Sequence, residues 1–342
     1  MHAFYSSIPA SAEGCATGAP SAPCAPLDDF LVFSASGADA LPFLHGQLTQ
    51  DVTGLPLDTA RLAGYCTAKG RLLATLVMWR AAPGADDAPQ LYGLVRRDLS
   101  EALLKRLSMF VLRAKVKLAA TALNVAGVQA TTEQAAALEA VTGALPRAPW
   151  QRVDLPSGTW IAAPSADTRL RWWWIASDEQ LAQSSALAGA LSLAPATHWQ
   201  VADLAAGIPW IASATQDVFI PQTVNLELVQ GVSFTKGCYP GQEVVARSHY
   251  RGTVKRRMAY GTIDQAGEQA GGQSAALAGV DVFDATQPGE PIGRVVDAAS
   301  EAGVASVLFE TTLAALPQGD LRLGAEDGPR ITVGPLPYSI TP

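Results

Sequence analysis

Within twelve residues, Lys236-Gly237-Cys238-Tyr239-Pro240-Gly241-Gln242-Glu243 and Arg247 set an amine, a thiol, an amide, a carboxylate and a guanidinium around two glycines. Glycine lets the backbone turn tightly and approach a ligand. Gln242 onward favours helix, so Gly241 marks a helix start, whose free N–H groups can receive an anion. A thiol beside an ammonium and a helix start is a better nucleophile. The alternative is a structural loop holding an inert cysteine, and the residues alone leave both readings open. The segment Phe219–Asn225 precedes this stretch and Arg251-Gly252 follows it.

Other chemistries lack their residues. Cys15, Cys24, Cys66 and Cys238 form no CxxC, and His2, His45, His198 and His249 are scattered without an HExxH pair. A disulfide scaffold, a self-contained zinc site and a cysteine-held cluster are therefore not expected, and no bound metal is assigned. The GxxxxGK[ST], GxGxxG and GxSxG motifs are absent, which removes support for P-loop, Rossmann and α/β-hydrolase chemistry. No apolar run approaches the length of a membrane span, and no lysine or arginine precedes Arg61, so the expectation is a cytoplasmic protein without membrane contact. Net charge is −7, which disfavours a general nucleic-acid coat. Yet 13 of the 24 basic residues fall in Arg96–Lys117 and Lys236–Arg257. Such clusters suit a small anion or a local RNA contact, or are simply solvated faces.

The 342 residues suffice for two or three domains. Residues 1–26, small and polar with Pro9, Pro20, Pro23 and Pro26, read as a disordered tail. Phe30–Phe33 reads as a buried strand, and Arg61–Cys66 and Leu72–Arg80 as a hairpin turning at Lys69-Gly70. Asp98-x-x-Glu101 has the form of a capping box opening a helix with Leu99, Leu103, Leu107 and Phe110 on one face. Further helices are expected over Thr132–Val141, Asp178–Leu191 and Ala196–Ala206, and a strand over Arg171–Ile175, whose tryptophans divide between core and surface. Helix and strand alternate without long βαβ repeats, so the class is α+β. After residue 253 six short β-rich runs separated by Gly, Pro and Asp turns predict an antiparallel β-barrel, with Asp264–Gly279 as a surface loop.

The string KGCYPGQEVVAR resembles the signature of the YgfZ-type folate-binding protein family, related to the glycine cleavage T-protein and to the mitochondrial iron–sulfur assembly factor of the same superfamily. Leu27–Phe30, Gly46–Val52, Lys69-Gly70, Ala206–Pro209, Phe219–Gln222 with Asn225-Leu226, and Pro335–Ser339 follow the family pattern in order, so the resemblance runs from residue 27 to the end. It implies a folate-binding body of two interwoven α+β subdomains over 27–252 and a C-terminal antiparallel β-barrel over 253–342. Tetrahydrofolate, or a derivative, is the implied ligand. The implied role is an accessory one toward iron–sulfur client proteins such as a tRNA-methylthiolating enzyme, with direct nucleic-acid binding disfavoured.

Carried over residue by residue, Trp199 and Phe30 take the places of two folate-lining tryptophans, Phe30 keeping the stacking face without the indole N–H. Glu243 matches the donor edge of a pterin or caps its helix. Gln242 and Gly241 belong to the same signature. Lys236 and Arg247 hold folate carboxylates or orient Cys238, the possible reactive thiol. Lys69 approaches the same site or only turns a hairpin. An aminomethyltransferase needs a carboxylate near the folate, on the strand leading into Val125-Ala126-Gly127, but Ala102–Thr132 contains no Asp or Glu. That reading, and a direct tRNA-binding module, rank behind the accessory role, and turnover is left open.

Overall fold

The protein is described by a computed structural model covering residues 2–9, 21–81, 90–250, 254–264 and 277–340. The chain divides into two compact units, each assembled from three segments. One comprises Met1–Leu41, Gly54–Arg61 and Val77–Trp199; the other comprises Pro42–Thr53, Leu62–Leu76 and Gln200–Pro342.

The first unit holds a six-stranded sheet in the spatial order Leu191–Leu193, Ala22–Pro26, Asn124–Ala130, Leu170–Ala176, Gly158–Ala162, Arg152–Leu155. Only the pairing of Ala22–Pro26 with Leu191–Leu193 is parallel. Period-two alternation sends Trp172 and Trp174 to one face, into a core with Phe4, Leu138 and Trp160. Trp160 and Trp174 stack at 5.1 Å. Trp173 points the other way, toward Trp150 and Trp199. All three tryptophans of the run are buried, so none supplies the surface share expected of them. Two satisfy their indole N–H groups on the Pro146 and Ser157 carbonyls.

The expected disordered tail is corrected at both ends. Ala3–Ser6 is a helical turn with His2 as its cap, and Ala22–Pro26 is a strand. Phe4, Tyr5 and Ile8 are buried, and Phe4 meets Trp174 edge-on at 5.4 Å. The small, polar composition of the segment hid these three anchors. Cys24 is buried, which pushes its thiol up to about 12 and leaves it inert at neutral pH. Cys15 lies outside the described residues.

A five-stranded sheet runs in the order Ala60–Cys66, Leu72–Arg80, Gln90–Arg96, Phe30–Ser36, Lys117–Ala120. The Lys69-Gly70 turn joins its first two strands as expected, with Gly70 at φ +73°. The Asp98 capping box does not form. The helix begins at Arg97 directly from the preceding strand, without a side-chain cap, and Asp98 lies in its first turn. The Arg97 N–H is instead taken by the Asp29 carbonyl. The helix expected over Asp178–Leu191 breaks into Asp178–Gln183 and Ser185–Ala188. At the break, the Ser184 hydroxyl donates back to the Gln180 carbonyl, a known competitor of the helical ladder.

In the second unit the six expected C-terminal runs all form strands. They make one antiparallel sheet in the order Leu321–Leu323, Asp281–Asp284, Gly293–Glu301, Val304–Thr312, Arg256–Asp264, Thr332–Gly334. The sheet curls into a half-barrel around Val282, Val295, Val307, Phe309 and Leu321. Its outermost strands approach each other through the Ile331 N–H to Leu321 carbonyl bond at 2.8 Å and an Arg322–Arg330 bridge. Of the expected loop Asp264–Gly279, residues 265–276 lie outside the described residues. Among the described residues no helix is long and apolar enough to cross a membrane.

Candidate functional site

The second unit gathers the signature residues around one loop. Its anchor is the Gly46–Val52 stretch. Thr49 accepts the Ser233 N–H at its carbonyl and donates its hydroxyl to the Gly231 carbonyl at 2.6 Å, while the same hydroxyl oxygen takes the Gly64 N–H. Gln50 donates to the Gln230 carbonyl. One threonine thus ties three chain stretches together, which accounts for a buried polar residue there.

Lys236 continues the attachment. Its ammonium donates to the carbonyls of His45 and Leu48, the latter at 2.7 Å, and lies 4.7 Å from the Tyr239 ring centroid. Burial pulls its pKa down to about 8, against the opposing charges of Asp51 and Cys238. Cys238 itself is exposed and unpaired as a disulfide.

The next fixed point is glycine on glycine. Gly241 has φ +82°, and a Cβ there would stand 2.4 Å from the Thr67 carbonyl and 2.6 Å from the Gly70 Cα. A Cβ on Gly70 would stand 2.9 Å from that of Val244. The Lys69-Gly70 turn therefore docks backbone to backbone on the helix start, which only glycine permits at both positions. The helix runs Gln242–Tyr250, as expected from Gly241. Three of its first four N–H groups already have backbone acceptors. Gln242 bonds the Tyr239 carbonyl, and Val244 and Val245 bond that of Gly241.

The helix presents two of the expected ligand residues to solvent. Glu243 and Arg247 pair with each other at 2.9 Å across one turn. Its inner side is held by Gln222, whose amide donates to the Val245 carbonyl at 2.7 Å. At its far end His249 stacks on Phe234 with ring centroids 3.8 Å apart.

Trp199 and Phe30 belong to the first unit, and both are fully buried. The Arg171 guanidinium covers Trp199 at 4.1 Å, and a Cβ on Gly127 would sit 2.1 Å from the indole. Arg96 lies 4.9 Å from the Phe30 ring centroid. Both rings are packed within their own unit, the indole between a sheet glycine and an arginine and Phe30 beside Arg96. Arg251 lies outside the described residues.

The remaining motifs converge as scaffold. Asn225 takes the left-handed conformation at φ 58° and donates its amide to the Met258 carbonyl at 2.7 Å. Tyr338 donates to the Gly207 carbonyl at 2.9 Å, linking Ala206–Pro209 to Pro335–Ser339. Arg257 reaches the Gln222 carbonyl and the Glu227 carboxylate, a buried ion pair. A cleft of about 350 Å³ opens in this unit among Arg71, Phe219, Ile220, Thr223, Arg256 and Glu310, and none of the expected site residues lines it. Among the described residues no group of three or more His, Cys, Asp or Glu side chains is placed to hold a metal ion.

Sequence reasoning missed one neighbour of the loop. His45 pairs through Nδ1 with Asp51 at 3.1 Å and with the Thr53 hydroxyl at the same distance. Its Nε2 faces Gly237, where an added Cβ would lie 3.6 Å away. His45 directly precedes the Gly46–Val52 stretch, and Asp51 lies within it.

This architecture defines a class. It is the fold of aminomethyltransferase T of the glycine cleavage system from Bartonella henselae, matched over 99% of this chain and 89% of that one with a TM-score of 0.68 and 14% identity. Sequence places the chain more narrowly. It is 35% identical over 241 residues to the tRNA-modifying protein YgfZ of Edwardsiella ictaluri, covering 68% of each chain. To the YgfZ of Klebsiella pneumoniae it is 35% identical over 240 residues, covering 68% of this chain and 69% of that one. The chain belongs to the YgfZ family. No family model matches it.

Proposed function

We propose that this chain is a tetrahydrofolate-binding accessory protein of tRNA modification, acting through iron–sulfur client proteins such as a methylthiolating enzyme. The observation that carries the reading is the presentation of Cys238. Its loop is pinned by Lys236 on two backbone carbonyls and by Gly241 on Gly70, yet the thiol is left exposed. Rigid support around an accessible nucleophile is the arrangement of a site that acts on something outside itself. The relatives' name, tRNA-modifying protein, supports the process, and the aminomethyltransferase fold supports folate as ligand. In this reading Lys236 and Arg247 meet folate's carboxylates, and Glu243 and Gln242 its ring edge.

Aminomethyl transfer ranks behind this role. The strand Asn124–Ala130 and the residues leading to it offer no carboxylate to assist it. Two measurements test the proposal. Calorimetric titration with tetrahydrofolate is expected to show saturable binding by the wild type, weakened in Lys236→Met. In cells deleted for the protein, the wild type is expected to restore tRNA methylthiolation and Cys238→Ser to fail while folding normally. Full restoration by Cys238→Ser removes the thiol from the function, and absence of binding by any reduced folate removes the ligand.

A further inference from the structure

We propose that the cleft lined by Arg71, Arg256 and Arg294 in the second unit binds a small organic phosphate monoester. This is a second site, since no residue offered above as a folate contact lines the cleft.

The curled sheet builds one wall as a row of charges. Val282, Val295 and Phe309 point into the half-barrel core, so period-two alternation puts their neighbours Asp281, Arg294 and Glu310 on the outer face. Register sets these three side by side on adjacent strands, Asp281 opposite Arg294 and Arg294 opposite Glu310. Arg256 extends the row from the next strand. Its Nε and Nη2 donate to the two oxygens of the buried Glu310 carboxylate, the second at 2.7 Å. Arg294 sets Nε and Nη2 on one Asp281 oxygen, at 2.8 and 2.7 Å. The signs alternate along the row, and its four charges cancel.

Arg71 upsets that balance. It reaches the cleft from outside this sheet, with Val218, Phe219 and Ile220. The Leu72 N–H bonds the Phe219 carbonyl and the Asp217 N–H bonds that of Leu72, so backbone ties hold this wall together. Arg71 donates Nη1 to the Val218 carbonyl, and among the described residues no carboxylate pairs with it. Three guanidiniums therefore line the cleft against two carboxylates, a net charge of one positive unit. Among the described residues Arg71 keeps Nε and Nη2 without an acceptor, and Arg256 and Arg294 each keep Nη1. Fixed, charged donors with spare N–H groups beside a cavity are what an oxyanion ligand requires.

Geometry narrows the anion. The donors arrive from three elements and call for oxygens spread in three directions. A tetrahedral phosphate has them, whereas a planar carboxylate presents two. The apolar Val218, Ile220 and Pro291 line the same cleft, so the phosphate carries an organic body. A volume of about 350 Å³ lies at the small end of ligand sites and suits a small molecule.

Calorimetric titration of the full chain with phenyl phosphate tests this, with inorganic phosphate and benzoate as comparison probes at the same ionic strength. Near about pH 7.5 the monoester is dianionic. Wild type is expected to bind phenyl phosphate saturably, and the other two probes several-fold more weakly. Arg71→Gln is expected to weaken phenyl phosphate by about tenfold or more, the loss of a charge-assisted hydrogen bond. Arg294→Gln, away from the Arg71 backbone ties, is expected to weaken it too and serves where Arg71→Gln fails to fold. Asp281→Asn removes an opposing charge and is expected to tighten binding several-fold, a gain that damaged folding does not produce. Absence of saturable binding, or equal affinity in wild type and a folded Arg71→Gln, overturns the proposal. Benzoate binding as tightly as phenyl phosphate overturns the choice of phosphate, and inorganic phosphate doing so overturns the organic body. Unchanged or weaker binding in Asp281→Asn overturns the charge argument. No folate enters the titration, so this inference and the folate reading stand or fall separately.

Discussion

The two loop glycines separate backbone necessity from local convenience. Gly241 is left-handed and its added Cβ would overlap the Thr67 carbonyl, whereas a Cβ on Gly237 would make only ordinary contact. Gly241→Ala is therefore expected to lose about 1–3 kcal/mol from backbone strain alone, before the clash is counted, and Gly237→Ala much less. Urea unfolding of the two variants checks the contrast. Lys236 gives a pH signature. Its pKa in the fold, about 8, lies below the ordinary 10.5, so between those values the unfolded chain holds more protons. Stability from this group is thus depressed below pH 8 and rises as the pH climbs toward 10.5. Unfolding midpoints followed from pH 7.5 to 10.5 should show this rise in wild type and lose it in Lys236→Met, the difference cancelling other titrating groups. Trp199 makes a third case at this scale. Packed on Gly127 and under Arg171, it is expected to cost about 3–5 kcal/mol on replacement by alanine. The sequence resemblance pointed instead to lost folate affinity, and thermal unfolding beside calorimetric titration tells the two apart.

At the scale of elements, the motifs legible in the sequence are mostly joints. The buried Arg257–Glu227 pair and Asn225 bolt the segment Pro221–Val224 to the strand Arg256–Asp264. Removing one member of a buried pair strands the other, so Arg257→Ala is expected to destabilise by about 3–5 kcal/mol, measurable by denaturant unfolding. The C-terminal strands were readable because turn residues bracket each apolar run, and the helix after Gly241 because glycine precedes helix-forming residues. Arg152–Leu155 and Gly158–Ala162 were not, being short strands without a sustained apolar run. The Ala3–Ser6 turn, anchored by buried Phe4 and Tyr5, was hidden by the composition of its neighbours. For the candidate site, the loop residues are legible as one continuous motif, whereas the place of His45 beside them is not: its carbonyl meets Lys236, 191 residues away, a relation that local spacing does not carry.

On the scale of the whole chain, both units are discontinuous, and this decides how the site can be assembled. The second unit takes Pro42–Thr53 and Leu62–Leu76 from early in the chain and closes with Gln200–Pro342. The late segment carries Lys236, Cys238, Gly241 and the half-barrel, but the early segments carry what fixes them. Thr49 and Gln50 hold the 230–233 stretch, the His45 and Leu48 carbonyls receive Lys236, and Gly70 receives Gly241. Non-local contacts of this kind cost loop-closure entropy before they return stability, so the loop orders only when distant segments have met. A fragment spanning 200–342 is therefore expected to keep strand signal from its curled sheet, whose pairings are internal to it. Its 230–241 loop is expected to lose protection. Hydrogen exchange read by mass spectrometry on the fragment and the full chain checks this: the loop peptides should exchange far faster in the fragment, while the Val304–Thr312 peptides remain protected in both. Equal protection of the loop in the fragment would show that the late segment alone builds the site and that the early segments only cover it.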